Sequence, residues 1–155
     1  MGLSAVQFDE NSVKLPLSSS TNTGALIERI ELPFRRSVSF YKTNLVKCVP
    51  LKNDRIRYPL EHEMEKCYTN FEWELETLTP SIVFLLGKQV STFVLKKFSI
   101  RNVMLNDGFD FQSYHINNID FVPVHHPSYI LVYKRKLIDE YIKGIHSLVV
   151  LSVPS

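Results

Sequence analysis

Three side chains in this 155-residue chain have types and settings suited to chemistry on a small polar ligand: Asn44, His126 and Ser128. An asparagine amide offers a donor and an acceptor side by side, so it can read a ligand edge that carries both. An imidazole can donate a hydrogen bond to an oxygen on which charge develops. A serine hydroxyl can hold an anion. Each residue also has an ordinary use: Asn44 satisfying backbone groups at a strand end, His126 held by backbone partners, Ser128 capping a turn. Their places in the chain bring them together. Asn44 falls late in one strand-like run, Gly87 closes a second, and His126 follows a third. In an open parallel sheet, ligands bind beyond the carboxyl ends of the strands.

The elements that must position these residues follow from patterning. Residues 9–24 are polar and rich in Ser, Thr and Asn, and read as a long loop of the functional kind. A short helix is expected over 24–31, ended by the Leu32-Pro33 step. Residues 38–46 (VSFYKTNLV) read as a strand, and 50–59 as a basic, proline-containing loop. Leu60, Met64, Cys67, Tyr68, Phe71, Leu75 and Leu78 recur at helical spacing. Residues 81–86 (SIVFLL) form an apolar run suited to a strand covered on both faces. Gly87 then opens a helix to about residue 98, 99–118 is irregular, and 119–124 (IDFVPV) is a further strand. A last amphipathic helix is expected over 133–145. Strands alternating with helices predict one α/β domain over 1–155, a three-layer sandwich with a small, mainly parallel central sheet.

Composition narrows the class. Hydrophobic residues are 45% and charged residues 22%, so a packed core is expected rather than a disordered chain. The net charge of +2, from 18 basic and 16 acidic residues, leaves local clustering to decide whether a polyanion binds. Lys134, Arg135 and Lys136 form one cluster; Lys42, Lys47, Lys52, Arg55 and Arg57 lie before the long helix. Such clusters serve phosphates or are simply solvated. No run suits a membrane helix and the start is unlike a signal peptide, which predicts a cytoplasmic protein. Two cysteines, Cys48 and Cys67, are too few for a disulfide framework. His62, five residues before Cys67, lies on another helix face, so no metal is expected.

The ordered segments FYKTNLVKCVPL, SIVFLLGKQV after a helix, and VPVHHPSYI resemble the iron–sulfur branch of the uracil-DNA glycosylases. That branch reads "TN-V-KC-P", a helix with a second cysteine, "LG--A" and "HPS"; KLPLSSSTNTG resembles its "PF-G--G" loop. The resemblance covers almost the whole chain. It implies a DNA N-glycosylase that extrudes a uracil or related deaminated base into a pocket, with DNA as partner. It implies that Asn44 reads the base edge, with Leu17 and Gly2 beside it, and that His126 stabilises the departing base. Ser128 and the apolar Tyr129, Ile130 and Leu131 would face DNA, the last three as a wedge into the hole left by the base, with Lys134 and Arg135 on phosphates.

The chain also departs from the pattern. The family's "GEAPG" segment, which positions the attacking water, matches Gly2-Leu3-Ser4-Ala5-Val6, with no carboxylate or amide in that place and no preceding strand. Ser4 is the nearest polar candidate for a catalytic role, with Asp9 and Glu10 as substitutes. Leu17 stands where the family stacks an aromatic on the base, and Phe8 is a possible replacement. The resemblance implies an iron–sulfur cluster, yet Cys48 and Cys67 match only half of its ligands, so no cofactor is expected in this chain. A missing first strand would leave a sheet edge for a second subunit, hence a possible homodimer. The alternative function is a catalytically impaired homologue that binds nucleic acid or nucleobases through the same pocket.

Overall fold

The computed structural model describes residues 1–4 and 17–152. The elements run β1 (Gly2–Ser4), α1 (Asn22–Glu31), β2 (Asn44–Val46), β3 (Leu51–Lys52), β4 (Arg55–Ile56), α2 (Glu61–Leu78), β5 (Ile82–Leu86), α3 (Lys88–Lys96), β6 (Tyr114–Ile116), β7 (Ile119–Val124), α4 (Pro127–Tyr133) and α5 (Ile138–Ser152).

β1 pairs parallel with β2, Gly2 opposite Asn44 and Ser4 opposite Val46. β5 pairs parallel with β7, and β6 closes antiparallel on the far side of β7. Met1 joins the two ladders. Its amino group donates to Phe84 O at 2.6 Å, and Leu86 N donates to Met1 O at 2.9 Å. Those slanted bonds to residues on either side of Leu85 are the parallel pattern. The strands therefore run in the order β2-β1-β5-β7-β6. Burial lowers the pKa of the Met1 amino group to about 5, leaving it neutral at pH 7 among the sheet's backbone groups.

The expectation of an absent first strand is thus corrected: β1 fills the place between β2 and β5. The open edge invoked for a second subunit does not arise there. The predicted strand over 38–46 is also shortened, because β1 supplies partners only to its last three residues.

Side chains alternate across the strands and build two cores. Val83, Leu85 and Phe121 join Tyr68 and Phe71 of α2 and Val90, Phe93 and Val94 of α3. Leu86, Val122 and Val124 join Leu26 and Ile30 of α1, Ile130 of α4, and Tyr141, Ile142, Ile145 and Val149 of α5. A sheet covered on both faces explains why SIVFLL is continuously apolar. Each fully buried residue of this kind stabilises the fold by about 1.5–3 kcal/mol. The expected three-layer α/β architecture follows.

The final helix begins later than expected: α4, a turn over Arg135–Leu137 and α5 replace one helix over 133–145. The irregular stretch holds β6, turned into β7 by Asn117 and Asn118 at positive φ of 50° and 64°. The basic loop holds the β3–β4 hairpin.

α1 starts at Thr21, whose hydroxyl accepts from Gly24 N at 3.0 Å. A Cβ on Gly24 would lie 1.8 Å from Ser18 O and 2.7 Å from Leu17 O. Backbone cannot yield as a side-chain tip can, so Gly24→Ala is expected to cost about 1–3 kcal/mol. Urea unfolding of the variant beside the parent protein checks this.

Candidate functional site

Register places the candidate residues along one edge. Gly2 is opposite Asn44, Leu86 is opposite Val124, and Met1 pairs with Leu85, so these positions form a row across β2, β1, β5 and β7. Gly87 and His126 lie just beyond that row, at the carboxyl ends of β5 and β7. At about 4.8 Å between strands, Asn44 and His126 stand on strands roughly 14 Å apart. That span leaves room for a planar base between side chains that lean inward.

Two glycines permit this packing. A Cβ on Gly2 would meet Asn44 Oδ1 at 2.4 Å, so the amide lies against the bare backbone of β1. Gly87 has φ of 97°, the left-handed region, and a Cβ there would meet His126 Cβ at 3.3 Å. Gly87 N donates to Val124 O at 2.8 Å, locking the turn between β5 and α3 against β7. A Gly2→Ala protein is expected to fold, since the clash is with a side-chain tip. Its displaced amide should weaken, severalfold, the binding of a ligand read by Asn44, as titration of the variant beside the parent protein would show.

Asn44 is held from below. Thr43 O accepts from Gly2 N at 2.9 Å. Thr43 Oγ1 donates to Glu74 Oε1 at 3.0 Å, and Tyr41 OH and Lys47 Nζ reach the same oxygen at 3.2 and 2.5 Å. Glu74 is buried, and its Oε2 has no hydrogen-bond partner among the described residues. Pairing to Lys47 and two hydroxyls offsets the cost of burying the charge. Sequence reasoning missed this residue. Its signal was a carboxylate three residues after Phe71, on the apolar side of α2.

His126 caps α4. Ser128 N donates to His126 Nδ1 at 3.2 Å, and Ser128 Oγ lies 2.7 Å from the same nitrogen. Accepting from a backbone N–H requires a free lone pair on Nδ1, so the neutral ring carries its proton on Nε2. Burial lowers the His126 pKa below its usual value, which keeps the ring neutral. The result is a fixed Nε2–H donor at the mouth of the sheet. His125 is instead structural: it is buried, its Nε2 bonds to Asn106 O at 2.9 Å, and Tyr141 OH donates to His125 O at 2.7 Å.

Other predicted positions scatter. Ser4 ends β1 on the same face as Gly2, opposite Val46; Leu3 points to the other face and packs on the first core. Leu17 packs partly buried on the second core, with φ of 54°. Ser128 is exposed, and Tyr129 stacks on the His125 ring at 5.2 Å. Ile130 is corrected: it is fully buried in the second core and cannot enter DNA, and Leu131 packs against the same core. Exposed Val132 and Tyr133 are the apolar surface of α4 instead. Lys134 pairs with Asp107 at 3.0 Å, while Arg135 has no ion pair among the described residues. Phe8, Asp9 and Glu10 lie outside the described residues.

A cleft of about 520 Å³ lies at the opposite edge of the sheet, lined by Tyr68, Leu75, Phe98, Ile116 and Phe121 among others. It holds none of the candidate residues, and ligand binding in parallel sheets favours the carboxyl edge.

The uracil DNA glycosylase superfamily matches residues 10–147. The chain belongs to that superfamily. A Type-4 uracil-DNA glycosylase of Archaeoglobus fulgidus is 26% identical over 110 residues, which cover 68% of this chain and 53% of that protein. The chain thus spans about half the length of the curated relative it matches. Among the described residues no helix is long and apolar enough to cross a membrane.

The iron–sulfur cluster implied by the sequence resemblance does not fit the thiols of this chain. Cys48 is exposed after β2, while Cys67 packs partly buried on the first core. Two thiols do not complete a four-thiolate set, and no group of three or more metal-binding side chains occurs among the described residues.

Proposed function

We propose that this superfamily member is a DNA glycosylase that removes uracil, or a closely related deaminated base, from DNA. One observation carries the reading: Asn44 and a neutral, Nε2-protonated His126 share the carboxyl edge of one sheet, each seated against a glycine. The target nucleotide leaves the stack and its base enters between them. The Asn44 amide donates to the uracil O4 and accepts from N3–H; cytosine reverses both and leaves buried groups unpaired. As the bond between C1′ and N1 breaks, its electron pair passes into the base, and His126 Nε2–H stabilises the charge on O2. Water then adds its oxygen to C1′ and releases a proton.

A specific observation favours a second reading, a base-binding homologue with impaired hydrolysis. In the segment that matches the family's water-positioning motif, Leu3 packs against the first core, and among the described residues no hydrogen bond couples Ser4 to a base. A hydroxyl without such a partner does little to activate water.

Oligonucleotides that differ only in one base, uracil, thymine or cytosine, separate the readings. Uracil-selective formation of abasic sites supports the enzyme. Uracil-selective binding without abasic sites supports the impaired homologue, and equal treatment of all three bases overturns both.

A further inference from the structure

We infer that the β3–β4 hairpin is a docking element for the sugar–phosphate backbone of nucleic acid, which rests on the proposed function for its substrate but not for its test. β2 runs parallel to β1, β5 and β7, so the hairpin that follows it leaves from the same carboxyl edge as Asn44 and His126. Residues 51–56 are all exposed. Leu51 pairs with Ile56, and Lys52 with Arg55, so the ribbon has an apolar pair on one face and a cationic pair on the other. Asn53 and Asp54 turn it at φ of 50° and 58°, the two-residue geometry whose twist suits a tight hairpin.

A free two-stranded ribbon is marginal in water. This one is clamped by Arg57, which bonds through N to Pro50 O at 3.0 Å and through Nε to Leu51 O at 3.2 Å. The Arg57 guanidinium also grips both Glu63 oxygens at 2.7 Å, in the first turn of α2. That grip, with the Leu60 N–H, lowers the Glu63 pKa to about 2.

Charge then singles out the partner. Lys42, Lys47 and Arg57 are occupied by Glu31, Glu74 and Glu63. Lys52 and Arg55 have no ion pair among the described residues, and only Asp54 lies beside them in sequence. Paired cations on a rigid ribbon suit successive phosphates, a contact that positions without reading sequence. Leu51, Ile56 and the nearby Tyr58, exposed by 52%, 54% and 72%, give sugars and unstacked bases an apolar surface.

The test measures affinity for a uracil-free duplex and for a single strand across a salt series. Beside the parent protein stand Lys52→Gln/Arg55→Gln, Lys52→Glu/Arg55→Glu and a control, Arg101→Gln/Lys143→Gln, which neutralises exposed cations after α3 and within α5. Each lost phosphate contact removes about 0.9 from the slope of log affinity against log salt for duplex. The hairpin pair should therefore lose nearly 2 from the slope and at least tenfold in affinity at low salt, with the control unchanged. Thermal melts identify any variant that fails to fold, and the glutamine pair decides if the glutamate pair does. A hairpin pair that keeps the parent slope, or loses no more than the control, overturns the inference. Slope loss in the hairpin pair, with a parent protein that releases no uracil in a separate assay on uracil-containing DNA, would support the hairpin while sinking the glycosylase reading.

Discussion

Uracil release by a His126→Ala protein is expected to fall by roughly 100- to 1,000-fold, with little change in affinity for uracil-free DNA. The magnitude is that of removing one preformed donor aimed at a developing oxyanion. Two effects compete in this substitution, and their sizes separate them. His126 also caps α4 by accepting from Ser128 N, and losing a cap costs about 1 kcal/mol of stability. That leaves a typical domain folded, so lost turnover reports chemistry rather than unfolding.

The pH dependence has a definite sign. The His126 pKa lies below 6.5 in the folded protein, so the unfolded chain binds the proton first as pH falls. The folded state's advantage from the neutral ring is present above 6.5 and is lost as pH drops from there toward the folded value. Protonating Nδ1 also ends its acceptance from Ser128 N–H and unseats the ring. Single-turnover rates measured from pH 8 downward should therefore hold near pH 6.5 and decline only at lower pH.

The second large effect is expected at Asn44. Alanine there leaves the uracil O4 and N3–H without partners inside the pocket. Each unpaired buried group costs about 1–3 kcal/mol, so two of them should lower kcat/KM by roughly thirty-fold to 25,000-fold. Stability should change little, since Thr43 and Glu74 hold the neighbouring backbone without the Asn44 side chain. Competition between uracil and cytosine substrates is the informative measurement. Loss of rate together with loss of preference assigns the reading role to the amide; loss of rate with preference intact assigns it elsewhere.

Much of the fold was legible because its signals are local. The apolar stripe of α2 and the unbroken run of β5 report periodicity and two-sided burial. The placement of Asn44, Gly87 and His126 along the carboxyl edge was legible, since each ends or begins an element. What failed depended on distant partners. Residues 38–43 have strand-like composition, but among the described residues no strand pairs with them. Ile130 sits in the motif segment proposed to enter DNA, yet helical geometry turns it inward onto Val122 and Val124. The hairpin was hidden because Lys52 and Arg55 read as loop charges, and the Arg57–Glu63 clamp that shapes the ribbon is not a periodic pattern. Lys134 has a partner that its sequence neighbours do not reveal: Asp107, 27 residues away.

The most direct test of the glycosylase reading is a single-turnover assay of free uracil released from a uracil-containing oligonucleotide, single- and double-stranded, with His126→Ala and Asn44→Ala proteins in parallel. The account predicts uracil release by the parent protein and its near-complete loss in both variants, each still folded. A folded parent protein that binds the oligonucleotide and releases no uracil, or variants that release it at the parent rate, would contradict the account.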